Sequence, residues 1–244
     1  MKKKLAGFLG ILLLCVMTAL VTLFYQGHVR YEREIRALPL EDAVSAYTDD
    51  PDYVRFSDID EDFVEAVISV EDKRFFRRNG YDFIALFRAL YHNFLAGDLI
   101  EGGSTISEQI AKNLYLNGYV NGLEEKMAEI YILLALEKTY AKEDLFALYV
   151  NMNYYGDGHW GIKDAAQGYY GKDCSDLSLG EAAMLAGLPN APSIYQLSTG
   201  YEDAKERQKW VLQTMYNNGY ITREQMEAAY LEDVQPVMDS TDIH

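Results

Sequence analysis

Residues 101–116 read EGGSTISEQIAKNLYL. Gly102 and Gly103 permit backbone conformations that other residues resist. Thr105, followed three residues later by Glu108, has the form of a capping box, which predicts a helix beginning near Ile106. From there Ile106, Ile110 and Leu114 recur at steps of four and form an apolar stripe to be buried. At about 100° per residue, Thr105, Glu108, Gln109 and Lys112 gather on the other side. Hydroxyl, amide and ammonium groups near a helix N-terminus suit an anion. The solvated face of an ordinary amphipathic helix would carry the same residues.

The same period extends in both directions. DEDFVEAVISV, residues 60–70, puts Phe63, Val64, Val67 and Ile68 on one face, and FIALFRALYHNFL, residues 83–95, does so with Phe83, Leu86, Phe87, Leu90 and Phe94. EIYILLALEKTY and EDLFALYVN continue it, and SLGEAAMLAGL reads as a helix ending at Gly187 and Pro189. Residues 201–231 read as a helix, a glycine stop and a second helix capped by Thr222. Few alternating patterns compete, so the predicted fold is mostly α.

At the N-terminus Lys2, Lys3 and Lys4 precede LAGFLGILLLCVMTALVTLFY, residues 5–25, which carries no charge. A helix needs about 20 apolar residues to cross a bilayer, and no small-residue cleavage site of a signal peptide is evident. The reading is an uncleaved transmembrane anchor, with the lysines cytoplasmic and the rest of the chain on the extracellular or periplasmic side. The segments expected are a tail (1–4), the anchor (5–25), a polar stalk (26–50), a helical domain (51–232) and a C-terminal tail (233–244). A net charge of −16 argues against nucleic acid as a partner. Cys15 and Cys174 fall in membrane and ectodomain, which predicts no internal disulfide. The four histidines are scattered, without metal-ligand spacing.

Two further stretches could carry chemistry. Glu71 and Asp72 follow an apolar run directly and precede Phe75 and Phe76. A carboxylate there is partly desolvated, which raises its pKa and improves it as a general base; a helix end with two solvated acids is the plainer alternative. In EEKMAEIYILLALE, residues 124–137, Glu125 and Glu129 lie four apart, and Lys126 can reach Glu129 at a step of three.

The order of the stretches is more telling than any one of them. SVEDKRFFRRNGYD, GGSTISEQIAKNLYL, EKMAEIYILLALEKTYAKEDLFALYVN, YYGDGHWGIKDAAQGYYGK and LSLGEAAMLAGLPNAPSIY together resemble, from about Tyr53 to about Ala229, glycosyltransferase family 51. This is the peptidoglycan glycosyltransferase domain of class A penicillin-binding proteins and of monofunctional transglycosylases. The resemblance implies a lysozyme-like, two-lobed helical fold that polymerises a lipid-linked disaccharide-peptide precursor onto a growing glycan chain, releasing lipid pyrophosphate with inversion. It implies Glu71 as the catalytic base with Asp72 beside it, and Glu129 as a second catalytic carboxylate at the pyrophosphate end. Lys112 would contact the pyrophosphate together with a divalent cation, Mg²⁺ or Mn²⁺, whose ligands remain unassigned. Phe75, Ser104, Thr105, Gln109, Asn113 and Lys126 complete the implied substrate-binding set. Other cell-wall synthesis proteins are implied partners. With no Ser-x-x-Lys in the chain, no transpeptidase and no penicillin binding are expected.

Three positions depart from the family pattern. Arg78 stands where a histidine is usual, Glu108 where the first of two glutamines is usual, and Glu125 where an arginine is usual. At an effective dielectric of about 20, an anion about 6 Å from another would repel it by roughly 3 kcal/mol, or about two orders of magnitude in rate. One expectation is that Arg78 supplies the cation lost at 125 or pairs with Glu125; independent drift is the other. A precursor-binding or scaffold protein of weakened activity is the rival from another class, and a lytic glycosidase a second.

Overall fold

The computed structural model describes residues 2–78, 80 and 104–237. The stretch expected as a helix over 83–95 and the glycines at 102 and 103 lie outside the described residues. So does the tail beyond 237.

The described residues are helical as the spacing predicts, with a single isolated bridge, Tyr154 to Trp160, as their β-structure. Helix α1 (Lys2–Ala37) runs without a break from the apolar segment into the domain. It is long and apolar enough to cross a membrane. The expected stalk is largely helical too: residues 26–37 belong to α1, and α2 (Leu40–Thr48) buries Ala43 and Val44. Its polar composition hid this, because only one stripe of each helix is covered and the rest stays wet.

Helix α3 (Glu61–Val70) starts where Asp60 accepts a hydrogen bond from Phe63 N at 3.2 Å, with Glu61 and Asp62 suiting the positive end of the helix dipole. Phe63, Val64, Val67 and Ile68 are buried, as their spacing requires. Helices α4 (Ile106–Tyr115), α5 (Leu123–Thr139) and α6 (Lys142–Met152) form one packed group, and α5 also carries α1. Helix α7 (Gly161–Tyr170) packs on α6, starting at a glycine with φ +79° where a Cβ would lie 2.9 Å from the Asn151 carbonyl oxygen. Helices α8 (Leu179–Gly187) and α9 (Tyr201–Asn218) pack with α3, and α10 (Arg223–Leu231) lies on α9. Full capping boxes start α8 at Ser178 and α10 at Thr222. One continuous apolar core joins these helices, among them Phe63, Phe75, Ile110, Leu136 and Phe146. Each such side chain removed from water contributes about 1.5–3 kcal/mol.

Candidate active site

Glu71 is the C-cap of α3 and faces α4, where Gln109 Nε2 donates to its Oε2 at 2.7 Å. Burial pushes the Glu71 carboxyl above its usual range; the Gln109 bond, Arg207 and Lys112 pull the other way. A desolvated carboxylate held by an amide is a directed base. Its place after an apolar run was the legible part; the α9 cation Arg207 was not, since nothing in sequence brings α9 beside α3.

The polar side of α4 is not a solvated face. Thr105 caps the helix, accepting from Glu108 N at 3.3 Å, and the helix begins at Ile106 as predicted. Only half of the capping box forms, because the Glu108 side chain leaves its own helix end for Lys126 of α5, at 2.8 Å. Lys126 Nζ also lies 2.9 Å from Glu129 Oε2. Glu108 and Glu129 keep only 3% and 2% of their surface exposed. Burial raises both carboxyls, partly offset by Lys126. Burial alone would depress the Lys126 ammonium, but its two carboxylate partners outweigh that and raise it. Lys112, half-buried one turn beyond Glu108, favours the ionised form of both Glu71 and Glu129. The α4 face thus joins the two carboxylates through Gln109 and Lys112. Ser104 and Asn113 are exposed at its ends.

Two predicted ligand-facing residues are placed otherwise. Phe75 is fully buried, packed on Phe76 and Phe146 at ring distances of 5.1 and 6.4 Å. Asp72 is buried and ion-paired with Arg78 at 2.5 Å. Arg78 continues to Glu137 at 3.1 Å, and Glu137 also accepts from Ser107 Oγ at 2.5 Å and from Gly80 N, with Lys142 Nζ at 2.7 Å. Burial pushes the Glu137 carboxyl up, but the bonds from Lys142, Ser107 and Gly80 outweigh it and hold it below its usual range. Lys142 Nζ also lies 4.5 Å over the Phe75 ring. This buried hub on α5 fixes the segment after Glu71. It was missed because a glutamate among leucines reads as one polar position of an amphipathic helix.

The expected pairing of Arg78 with Glu125 is not what the structure contains. Arg78 turns to Asp72 and Glu137, and Glu125 turns to α1, where Arg30 Nη2 lies 3.1 Å from its Oε1. Asn121 N also donates to Glu125 Oε2 at 2.6 Å. The anion at 125 therefore has its own cation, and the repulsion expected of it is met locally.

A separate cleft of about 430 Å³ opens between the end of α2, α6 and the start of α7, lined by Tyr47, Tyr53 and Trp160 among others; it shares no residue with this site.

The transglycosylase family profile matches residues 40–216, which include α3 to α6 and Arg207 of α9 but not Arg30 of α1. The chain belongs to the transglycosylase family. A Cupriavidus necator protein named as a transglycosylase is 38% identical over 200 residues, covering 82% of this chain and 86% of that one. Penicillin-binding protein 1F of Bacillus subtilis is 35% identical over 93% of this chain but only 34% of its own. Penicillin-binding protein 1A of Aquifex aeolicus is 42% identical over 72% of this chain and 24% of its own. This transglycosylase chain therefore spans about a third or less of those two penicillin-binding proteins, and most of the Cupriavidus relative.

Proposed function

We propose that this chain is a peptidoglycan glycosyltransferase that polymerises a lipid-linked disaccharide-peptide precursor, with the N-terminus cytoplasmic and the domain on the outer side of the membrane. The observation that carries the reading is the pair of carboxylates, half-buried Glu71 and buried Glu129, joined across one α4 face by Gln109 and Lys112. A sugar hydroxyl is a very weak acid and needs a positioned base to attack. In this reading Glu71 takes the proton of the acceptor 4-hydroxyl as its oxygen bonds to the donor anomeric carbon. The bond from that carbon to the pyrophosphate oxygen breaks on the opposite face, hence inversion. Charge gathering on the departing pyrophosphate is stabilised by Lys112, Lys126 and the N-terminal amides of α4.

A divalent cation, Mg²⁺ or Mn²⁺, fits these residues as part of a shared site. Among the described residues no group of three or more His, Cys, Asp or Glu could hold a metal by itself. Magnesium, however, takes one or two carboxylates and completes its shell with water and substrate phosphates. Glu129 and Glu108, both buried with their carboxylates on Lys126, would hold it. When bound, it would neutralise charge on the leaving group.

One observation favours a weaker catalyst acting as a precursor-binding or scaffold protein: Lys126 is already held between Glu108 and Glu129. Purified full-length chain given lipid-linked precursor, with and without Mn²⁺, separates the readings. Polymer that falls by about 10²-fold or more in Glu71→Gln supports the enzyme. Bound precursor without polymer supports the scaffold, and a Glu71→Gln variant as fast as wild type would sink the mechanism.

A further inference from the structure

The helix that leaves the apolar run is unbroken. The apolar run ends at Tyr25, the next charge is Arg30, and α1 continues to Ala37. Phe24 and Tyr25 are exposed there, as aromatic residues are at a membrane–water boundary. Two residues on, at Gly27, α1 meets α5. Gly27 is buried, and a Cβ at this position would lie 2.2 Å from Met127 Cβ and 3.2 Å from Ala128 N. Only glycine lets the two helices come this close.

The contacts run in opposite order on the two helices. Arg30 meets Glu125, Gly27 meets Met127 and Ala128, and beyond α5 the Tyr115 hydroxyl donates to Leu38 O at 3.2 Å. Helices α1 and α5 are therefore antiparallel. Tyr131 lies 5.2 Å from His28 and 5.9 Å from Tyr31 between ring centres, its side chain leaning back along α5. A segment tied at these points is not a tether that lets the domain sample many heights. At 1.5 Å of rise per residue, Gly27 lies only about 3 Å beyond Tyr25. Lys126 and Glu129 flank the residue it touches.

We infer that α1 is a ruler: its packing on α5 at Gly27 fixes Lys126 and Glu129 at the depth of the lipid headgroups. The partner of this face is the bilayer surface, and the site is matched to a diphosphate carried by a membrane-embedded lipid. Leu134 is exposed on the membrane side of Met127 by the antiparallel order, where an apolar side chain can enter lipid. The inference about the diphosphate rests on the proposed glycosyltransferase reading; the inference about depth does not.

The test inserts seven residues, Glu-Ala-Lys-Glu-Ala-Ala-Lys, between Tyr25 and Gln26 of the full chain. This adds about 10 Å and nearly two whole turns of helix, so the domain rises with little rotation. Polymerisation of lipid-linked precursor is measured in phosphatidylethanolamine–phosphatidylglycerol vesicles and in detergent micelles. A fluorophore on Leu134→Cys, with Cys15→Ala, reports depth through quenching by lipid labelled in its acyl chain. The expected result is a loss of about tenfold or more in vesicles, from misplacement of the reacting groups. The rate in micelles stays near wild type, and quenching is lost. An unchanged vesicle rate, unchanged quenching or an equal loss in both media overturns the ruler. A wild type that makes polymer in neither medium overturns the glycosyltransferase reading, and the quenching arm still decides the ruler.

Discussion

Glu71 ends α3 half-buried, and its chemistry follows from that. Burial raises its pKa, so the acid limb of polymerisation in a pH–rate profile should lie above the range of a free glutamate. The Gln109 bond opposes the rise, so Gln109→Leu should move the limb higher still. The stability consequence has the opposite sense to activity. A carboxyl whose folded pKa is raised weakens the fold as pH climbs from its unfolded pKa through the folded one. Glu71→Gln should therefore melt higher than wild type at neutral pH and show no such gain in acid, as measured by thermal unfolding at both pH values. Glu137 is the contrary case. Its folded pKa is lowered, so its contribution is present above the unfolded pKa and lost as pH falls through the folded one. Glu137→Gln should cost roughly 3–5 kcal/mol near neutral pH, as for breaking one partner of a buried pair. Denaturant titration should show that difference shrinking in acid. Glu71 was legible as a candidate because an acid directly after an apolar run must be desolvated. Glu137 was not, because its partners Arg78, Ser107 and Lys142 come from three other stretches of chain.

Between elements, the polar stripe of α4 had two possible fates in the sequence, solvent or a site. Packing of α4 against α5 chose the second by burying Glu108 and Glu129 about one lysine. Packing also separated the two charge exchanges that looked like a pair. With Arg78 on Asp72 and Glu137, and Glu125 on Arg30, the effects of Arg78→His and Glu125→Arg should add within about 0.3–0.5 kcal/mol. Arg78→His and Glu137→Gln, which share a contact, should depart from additivity in a double-mutant cycle of unfolding free energies. Gly27→Leu tests the closest helix contact. No rotamer places a leucine Cβ 2.2 Å from Met127 Cβ, so α1 must move off α5. The coupling energy between Arg30 and Glu125 in a double-mutant cycle, favourable on the native Gly27 background, should vanish with leucine there.

For the whole molecule, the N-terminal helix both anchors and builds the domain. Removing residues 1–25 should leave a soluble, stably folded protein, because Gly27, Arg30 and Tyr31 remain on α5. Removing residues 1–37 should lower its melting temperature, because it uncovers the side of α5 that Gly27 and Tyr31 cover. A reporter fused after His244 should be active outside the cytoplasm. By itself the sequence determined the helical class, the start of α4 at Ile106, the buried face of α3 and the apolar run. These are local matters: a period of 3.6, a cap and an unbroken apolar length are each read within one stretch of chain. Tertiary structure decided that the polar stalk docks and that Asp72 is clamped. It also set Phe75 in the core and gave Glu125 its cation from α1. Each of these depends on which side chains meet across long separations, and a single stretch of sequence carries no record of its distant neighbours.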